Sequence, residues 1–288
     1  MKIGILGATG VIGRRLAPLL AAGGHEVRCL ARPGGTPGDA QGCMAADILE
    51  PSTLEPALQG LDVLVNLATC IPNGRGRGDW HINDRIRDEG TRHLVGALMR
   101  QGGRCRLVQQ SVAMLHQGDR LCDESDDIVG QGVLTSALVM EATVQCSELD
   151  WVVLRGAALY GPGTARDASF FARIASGEWL APEPAQRWVS FIHVDDLAAA
   201  FALAATLPGR QVYIAADDHP TTYADLFSRF ARGGRPLPGA VPMPQPLPSF
   251  RVSNRRLRQC GWRAAHPDVF SAMQAPASRA RFDEAVAP

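Results

Sequence analysis

Three glycines at a three-residue spacing, Gly7, Gly10 and Gly13, are the residues whose types and positions point most directly to chemistry. An apolar run over residues 2–6 precedes them, and Leu16, Leu19 and Leu20 follow at helical period. In a strand–turn–helix of this kind, Gly7 allows the tight turn and Gly10 lets a pyrophosphate approach the backbone. Gly13 lets helix and strand pack closely. The helix N-terminus then offers free N–H groups to phosphate oxygens. Thr9, Val11 and Ile12 lie in the same loop and complete the contact set expected there.

The second strand, Glu26 to Arg32, should end beside the adenosine ribose, roughly twenty residues beyond the glycines. No acid stands there to bind the 2′-hydroxyl of NAD. Arg32 does, with Arg14 and Arg15 at the start of the first helix. A guanidinium suits a 2′-phosphate, so NADP is the expected cofactor and NAD the alternative. The run Leu61 to Thr69 reads as a buried strand whose end, Leu67, Ala68 and Thr69, should lie beside the cofactor's ribose and pyrophosphate.

Side chains that could move a proton are few. His116 leaves a strand on a loop and could serve as acid or base near neutral pH. Tyr160 is one of only three tyrosines, with Tyr213 and Tyr223. Thr135 and Ser136 would need an external base. Asp79, Trp80 and His81 fall on a loop that could reach a pocket. His193 with Asp195 and Asp196 sits in an apolar run, which reads as a buried histidine and a helix cap rather than a metal site. No His/Cys cluster has zinc spacing, so no metal is expected. No Gly-x-Ser-x-Gly elbow supports a hydrolase.

The elements that must hold these residues alternate strand and helix to about residue 156, the pattern of a doubly wound parallel α/β sheet. Helices are expected over 84–100 and 134–146, strands over 104–110, 151–154 and 211–215, and a strand running into a helix from Phe191. Residues 235–249 hold six prolines and read as an extended connector. The division expected is a nucleotide-binding core over 1–160 and a smaller C-terminal substrate lobe over 161–288, with 191–215 returning to the core.

Gly7-Ala-Thr-Gly10-Val-Ile-Gly13 resembles the short-chain dehydrogenase/reductase superfamily, in its extended and atypical epimerase/dehydratase-type branches. Leu154-Arg-Gly-Ala-Ala-Leu-Tyr160-Gly-Pro-Gly163, Phe191-Ile-His-Val-Asp-Asp-Leu-Ala198 and Arg251-Val-Ser-Asn254-Arg-Arg-Leu resemble its later landmarks, in order. The resemblance implies a Rossmann-type core with a C-terminal substrate lobe. It also implies that Asp47 meets the adenine amino group, with Ile48 beside it, and that Ala158 borders the cofactor after the sixth strand.

The resemblance further implies a catalytic tyrosine, with a lysine four residues on to lower its pKa, and a serine at the end of strand five. Ser111 stands near the serine position. Counting back from Glu141, the tyrosine position falls at Val133 and the lysine position at Ala137, and neither can transfer a proton. Residues 112–150 contain no Tyr and no Lys, so no shift of alignment restores the pair. Arg87 stands where the family usually has asparagine.

Three functions follow. The first is an NADP-dependent reductase or epimerase-like enzyme with a rebuilt proton donor, drawn from Ser111, His116 and Tyr160. The second is a non-redox cyclase, isomerase or lyase on the same scaffold. The third is a nucleotide-binding sensor without catalysis. The chain has 288 residues, 46% hydrophobic and 20% charged, with zero net charge. That balance gives no electrostatic case for nucleic acid, and the apolar runs are too short to span a membrane. Seven scattered cysteines without a CxxC pair read as reduced core residues of a cytoplasmic protein. A small-molecule substrate is the expected partner. The resemblance adds a homodimer through the helices after strands four and five, for which no apolar stripe in this sequence selects a face.

Overall fold

The computed structural model describes residues 1–33, 42–72, 78–231 and 235–274. Contacts divide the chain into two compact units. The first comprises Met1–Val112, Val129–Arg155 and Leu197–Tyr213, and the second Ala113–Ile128, Gly156–Asp196 and the chain from Ile214 onward. Residues 113–128 therefore belong with the second unit, inside the stretch expected to be wholly core.

The first unit is built on a sheet begun by β1 (Lys2–Leu6), β2 (Glu26–Ala31), β3 (Met44–Ala45), β4 (Val63–Asn66) and β5 (Arg106–Val112). These pair in parallel in the order β3-β2-β1-β4-β5. β6 (Trp151–Gly156) and a final strand, Gln211–Ala215, extend the sheet beyond β5 to seven strands. β4 and β6 are buried along their whole length. Continuous apolar runs are what strands covered on both faces require.

The strand order reverses between β1 and β4, and in open α/β sheets ligands bind at that switch point, beyond the strands' C-terminal ends. α1 (Gly13–Ala22) starts there. α2 (Pro51–Leu58) opens with proline at its first turn. The helix expected over 84–100 is three pieces: α3 (Trp80–Arg85), a π-helical turn (Ile86–Gly90) and α4 (Thr91–Arg100). α5 (Thr135–Gln145) follows a 3-10 turn at Gly132–Leu134. Leu54, Leu58, Leu94, Leu98 and Val144 from these helices pack with Leu30, Leu64, Leu107 and Val153 of the sheet.

The second unit holds β7 (Ala158–Tyr160) paired in parallel with β8 (Phe191–His193). It also holds α6 (Ala168–Ala175) and the helix Tyr223–Phe230. The proline-rich stretch adds one two-residue ladder, Val241–Pro242 against Trp179–Leu180. All seven cysteines are free thiols, and only Cys105 and Cys122 are buried, fewer than a set of core residues would be. No helix among the described residues is long and apolar enough to cross a membrane.

Candidate active site

The glycine loop has the geometry its spacing implies. Gly7 has φ +87°, and a Cβ there would meet the Leu67 carbonyl and the Ala68 nitrogen at 3.0–3.1 Å. A Cβ at Gly13 would stand 2.5 Å from the Gly7 oxygen and 2.7 Å from the Ala8 Cα, all backbone. The loop is braced by Gly7 N–H and Ala8 N–H donating to the Leu30 carbonyl, and by Gly10 N–H donating to the Gly7 carbonyl. No side chain caps α1. The N–H groups of Val11, Ile12 and Gly13 meet no acceptor among the described residues. Three aligned donors at a helix start, over a cradle that a single Cβ would fill, fit a pyrophosphate.

Arg14 and Arg15 turn back on this loop: Arg14 Nε donates to the Thr9 carbonyl at 2.7 Å and Arg15 Nη1 to the Val11 carbonyl at 2.8 Å. Arg32 is exposed just past the end of β2. Asp47 holds a turn, accepting the Leu49 N–H at 3.0 Å through Oδ1. Its N–H and carbonyl both bond the Thr53 hydroxyl. Ile48 is buried against Gly90. Leu67 continues β4 through its N–H to the Leu6 carbonyl, Ala68 N–H donates to Asn66 Oδ1, and Thr69 is exposed. The structure thus gathers Gly7 to Gly13 with Leu67 and Ala68 at one edge of the first unit. Ala158 lies in the second unit, as buried backbone of β7.

The three candidate proton donors are all interior. Ser111 is 2% exposed, and its hydroxyl donates to Glu141 Oε1 at 2.5 Å. Arg155 holds the same carboxylate with two bonds, Nε to Oε1 at 3.0 Å and Nη2 to Oε2 at 2.6 Å. Ser111 is therefore the third member of a buried ion-paired network, not a hydroxyl open to substrate. His116 is 0% exposed. Tyr160 is also 0% exposed, edge-on to Phe171, Phe191 and His193. Burial, with the neighbouring Asp217 charge, pushes its phenol far above the usual value.

The other candidates resolve into structure. Asp79 caps α3 by accepting the Ile82 N–H. The run Asp195-Asp196 was expected to hold a helix cap, and Asp196 lies in the first turn of the helix Val194–Ala204. Its two oxygens instead accept the N–H groups of Ala265 and His266, and Oδ2 also meets His266 Nδ1 at 3.0 Å. His193, Asp195 and His266 each bring one ligand atom within 4.8 Å of the others. The His193 ring is stacked on His266 at 3.7 Å.

At the place of the absent pair, Val133 is an exposed valine in the 3-10 turn and Ala137 is buried in α5. Lys2, the chain's only lysine, is paired with Glu26 at 2.9 Å on β1 and β2. Sequence reasoning gave Arg87 no role. The structure puts it 5% exposed, with Nη1 donating to the Val133 carbonyl at 3.1 Å. The signal in the sequence was the arginine standing where the family has asparagine.

A glycine loop at the switch point of a parallel sheet defines a nucleotide-binding Rossmann protein. Residues 7–172 match the NAD(P)H-binding family model. The chain is 32% identical to a 3-diazoavenalumate denitrifying reductase of a Streptomyces species, covering 93% of this chain and 97% of that one. Among solved structures it is similar to an NAD-dependent epimerase/dehydratase of Methylobacillus flagellatus, with TM-score 0.75, 26% identity, and 97% and 98% of the two chains covered. The NAD complex of Thermus thermophilus UDP-glucose 4-epimerase has TM-score 0.74 at 20% identity, covering 92% and 94%, a likeness of fold. The chain belongs to the NAD(P)H-binding family within the short-chain dehydrogenase/reductase and NAD-dependent epimerase/dehydratase superfamily.

Proposed function

We propose that this protein is an NADPH-dependent reductase whose substrate accepts hydride without a proton from any side chain, a diazo-bearing carboxylate being the class favoured. One observation carries the reading: the cofactor cradle is intact, while Ser111, His116 and Tyr160 are all buried and the Tyr and Lys positions are Val133 and Ala137. Ordinary carbonyl reduction needs an acid for the alkoxide it forms. When bound, reduced nicotinamide supplies a hydride, which at a diazonium carbon forms the C–H bond as the C–N bond breaks and dinitrogen leaves with that bond's electron pair. No proton is consumed at that carbon, so a site without an acid is sufficient. The diazo-reductase relative, matched over almost its whole length, supports the same chemistry.

The chain's own residues then bind, orient and exclude water. The N–H groups of Val11 to Gly13 hold the pyrophosphate. Arg32 at the end of β2 selects the 2′-phosphate, so NADPH is favoured over NADH. Val133 and Ala137 put side chains that carry no proton where the family's Tyr and Lys would stand. Titration with both nucleotides, followed by protein fluorescence, tests the cofactor claim. NADPH is expected to bind at least tenfold more tightly, and equal affinity would refute the role given to Arg32.

A further inference from the structure

Arg87 is carried on the π-helical turn Ile86–Gly90, between α3 and α4. Single π turns inside helices concentrate at functional sites, because the extra residue re-aims a side chain. Here the turn directs a guanidinium into the interior of the first unit. Nη1 donates to the Val133 carbonyl at 3.1 Å and reaches the Ser136 hydroxyl at 3.4 Å. Ser136 in turn donates to Asp84 Oδ1 at 2.7 Å. Arg87 makes no ion pair, and its Nε and Nη2 donors meet no acceptor, among the described residues. Burial lowers its pKa, and the Asp84 charge only partly offsets that.

A guanidinium this interior, bonded only to neutral oxygens, keeps donors that an anionic ligand could take. The planar fork of arginine matches a carboxylate in two parallel bonds. The guanidinium is anchored to the backbone of Val133, the residue at the tyrosine position, and the small Ala137 stands at the lysine position.

We propose that Arg87 is a substrate-binding residue that takes a carboxylate group of the substrate at the place vacated by the Tyr–Lys pair. Guanidinium retains its proton at working pH, so it orients and neutralises the anion without acting as an acid. The inference rests on the reductase reading for the site's use, but carboxylate binding is measurable without turnover.

The test uses the full chain saturated with NADP⁺, with cinnamate and methyl cinnamate as calorimetric probes. The wild type is expected to bind the acid at least tenfold more tightly than the ester. Arg87→Met should abolish that preference, Arg87→Lys should keep part of it, and both should bind NADP⁺ within twofold of wild type. Equal binding of acid and ester, or binding of neither, would overturn the proposal, and this arm needs no variant. A lost NADP⁺ affinity in Arg87→Met would place the guanidinium on the cofactor and also overturn it. Carboxylate binding without hydride transfer would defeat the reductase reading and leave the site standing.

Discussion

Replacing Ser111 by alanine separates a catalytic serine from a structural one. In the structure the hydroxyl donates to Glu141 at 2.5 Å, and Arg155 holds the same carboxylate through Nε and Nη2. The substitution removes one charge-assisted bond and leaves the bidentate pair. Hydrogen bonds to charged groups contribute about 1.5–3 kcal/mol, so a loss of about 2 kcal/mol is expected. For a domain of this size that lowers the melting temperature by roughly 4–6 °C. Removing the charge, in Glu141→Gln, takes the carboxylate out of the buried pair with Arg155 and should cost more, about 3–5 kcal/mol. The assay pairs calorimetric melting with the rate of reduction well below the melting range. Ser111→Ala should melt earlier and keep its rate within about twofold, a change of under 1 kcal/mol in the barrier. An unchanged melting temperature with a rate reduced a hundredfold would refute the network argument and return Ser111 to the chemistry.

Two further outcomes follow from the geometry. Gly13→Ala drives a Cβ to 2.5 Å from the Gly7 oxygen, and the atoms it meets are backbone that cannot swing aside. Overpacking of this kind costs about 1–3 kcal/mol; NADPH affinity should fall at least tenfold by fluorescence titration, and a wild-type affinity would contradict the cradle. Asp217 is buried and its carboxyl is held well above the usual range, by burial first and then by the Asp196 charge, with the Tyr160 hydroxyl working the other way. Between the ordinary carboxylate value, about 4, and the raised one, the folded chain binds more protons than the unfolded, so this group's contribution falls as pH rises. Asp217→Asn should therefore gain stability over wild type by more at pH 8 than at pH 5, and a pH-independent difference would count against it.

The cofactor loop was legible because its constraints are local. Turn, close approach and uncapped helix start all lie within Gly7 to Gly13, and periodicity marked the strand and helix around them. What side chains do inside the fold was not. Ser111 is tied to Glu141 and Arg155, distant residues that only the packed sheet and α5 bring together. Tyr160 and His116 looked available because each follows a strand, yet tertiary packing decides whether a strand's end is open. An aspartate cap was expected from the run Asp195-Asp196, yet the partners of Asp196 lie about seventy positions on. Arg87 escaped because a helical pattern over 84–100 carries no mark of the π turn that changes where residue 87 points.

The central claim is that the intact cofactor site passes hydride to a diazo-bearing carbon without a side-chain acid. The most direct measurement is single turnover of an aryl diazonium carboxylate with NADPH deuterated at the transferable C4 position, in ordinary water, with the product read by mass spectrometry. The account predicts one deuterium at the carbon that lost nitrogen, enzyme-dependent and from one face of the nicotinamide. Product hydrogen drawn from solvent, or no enzyme-dependent loss of dinitrogen, would contradict it.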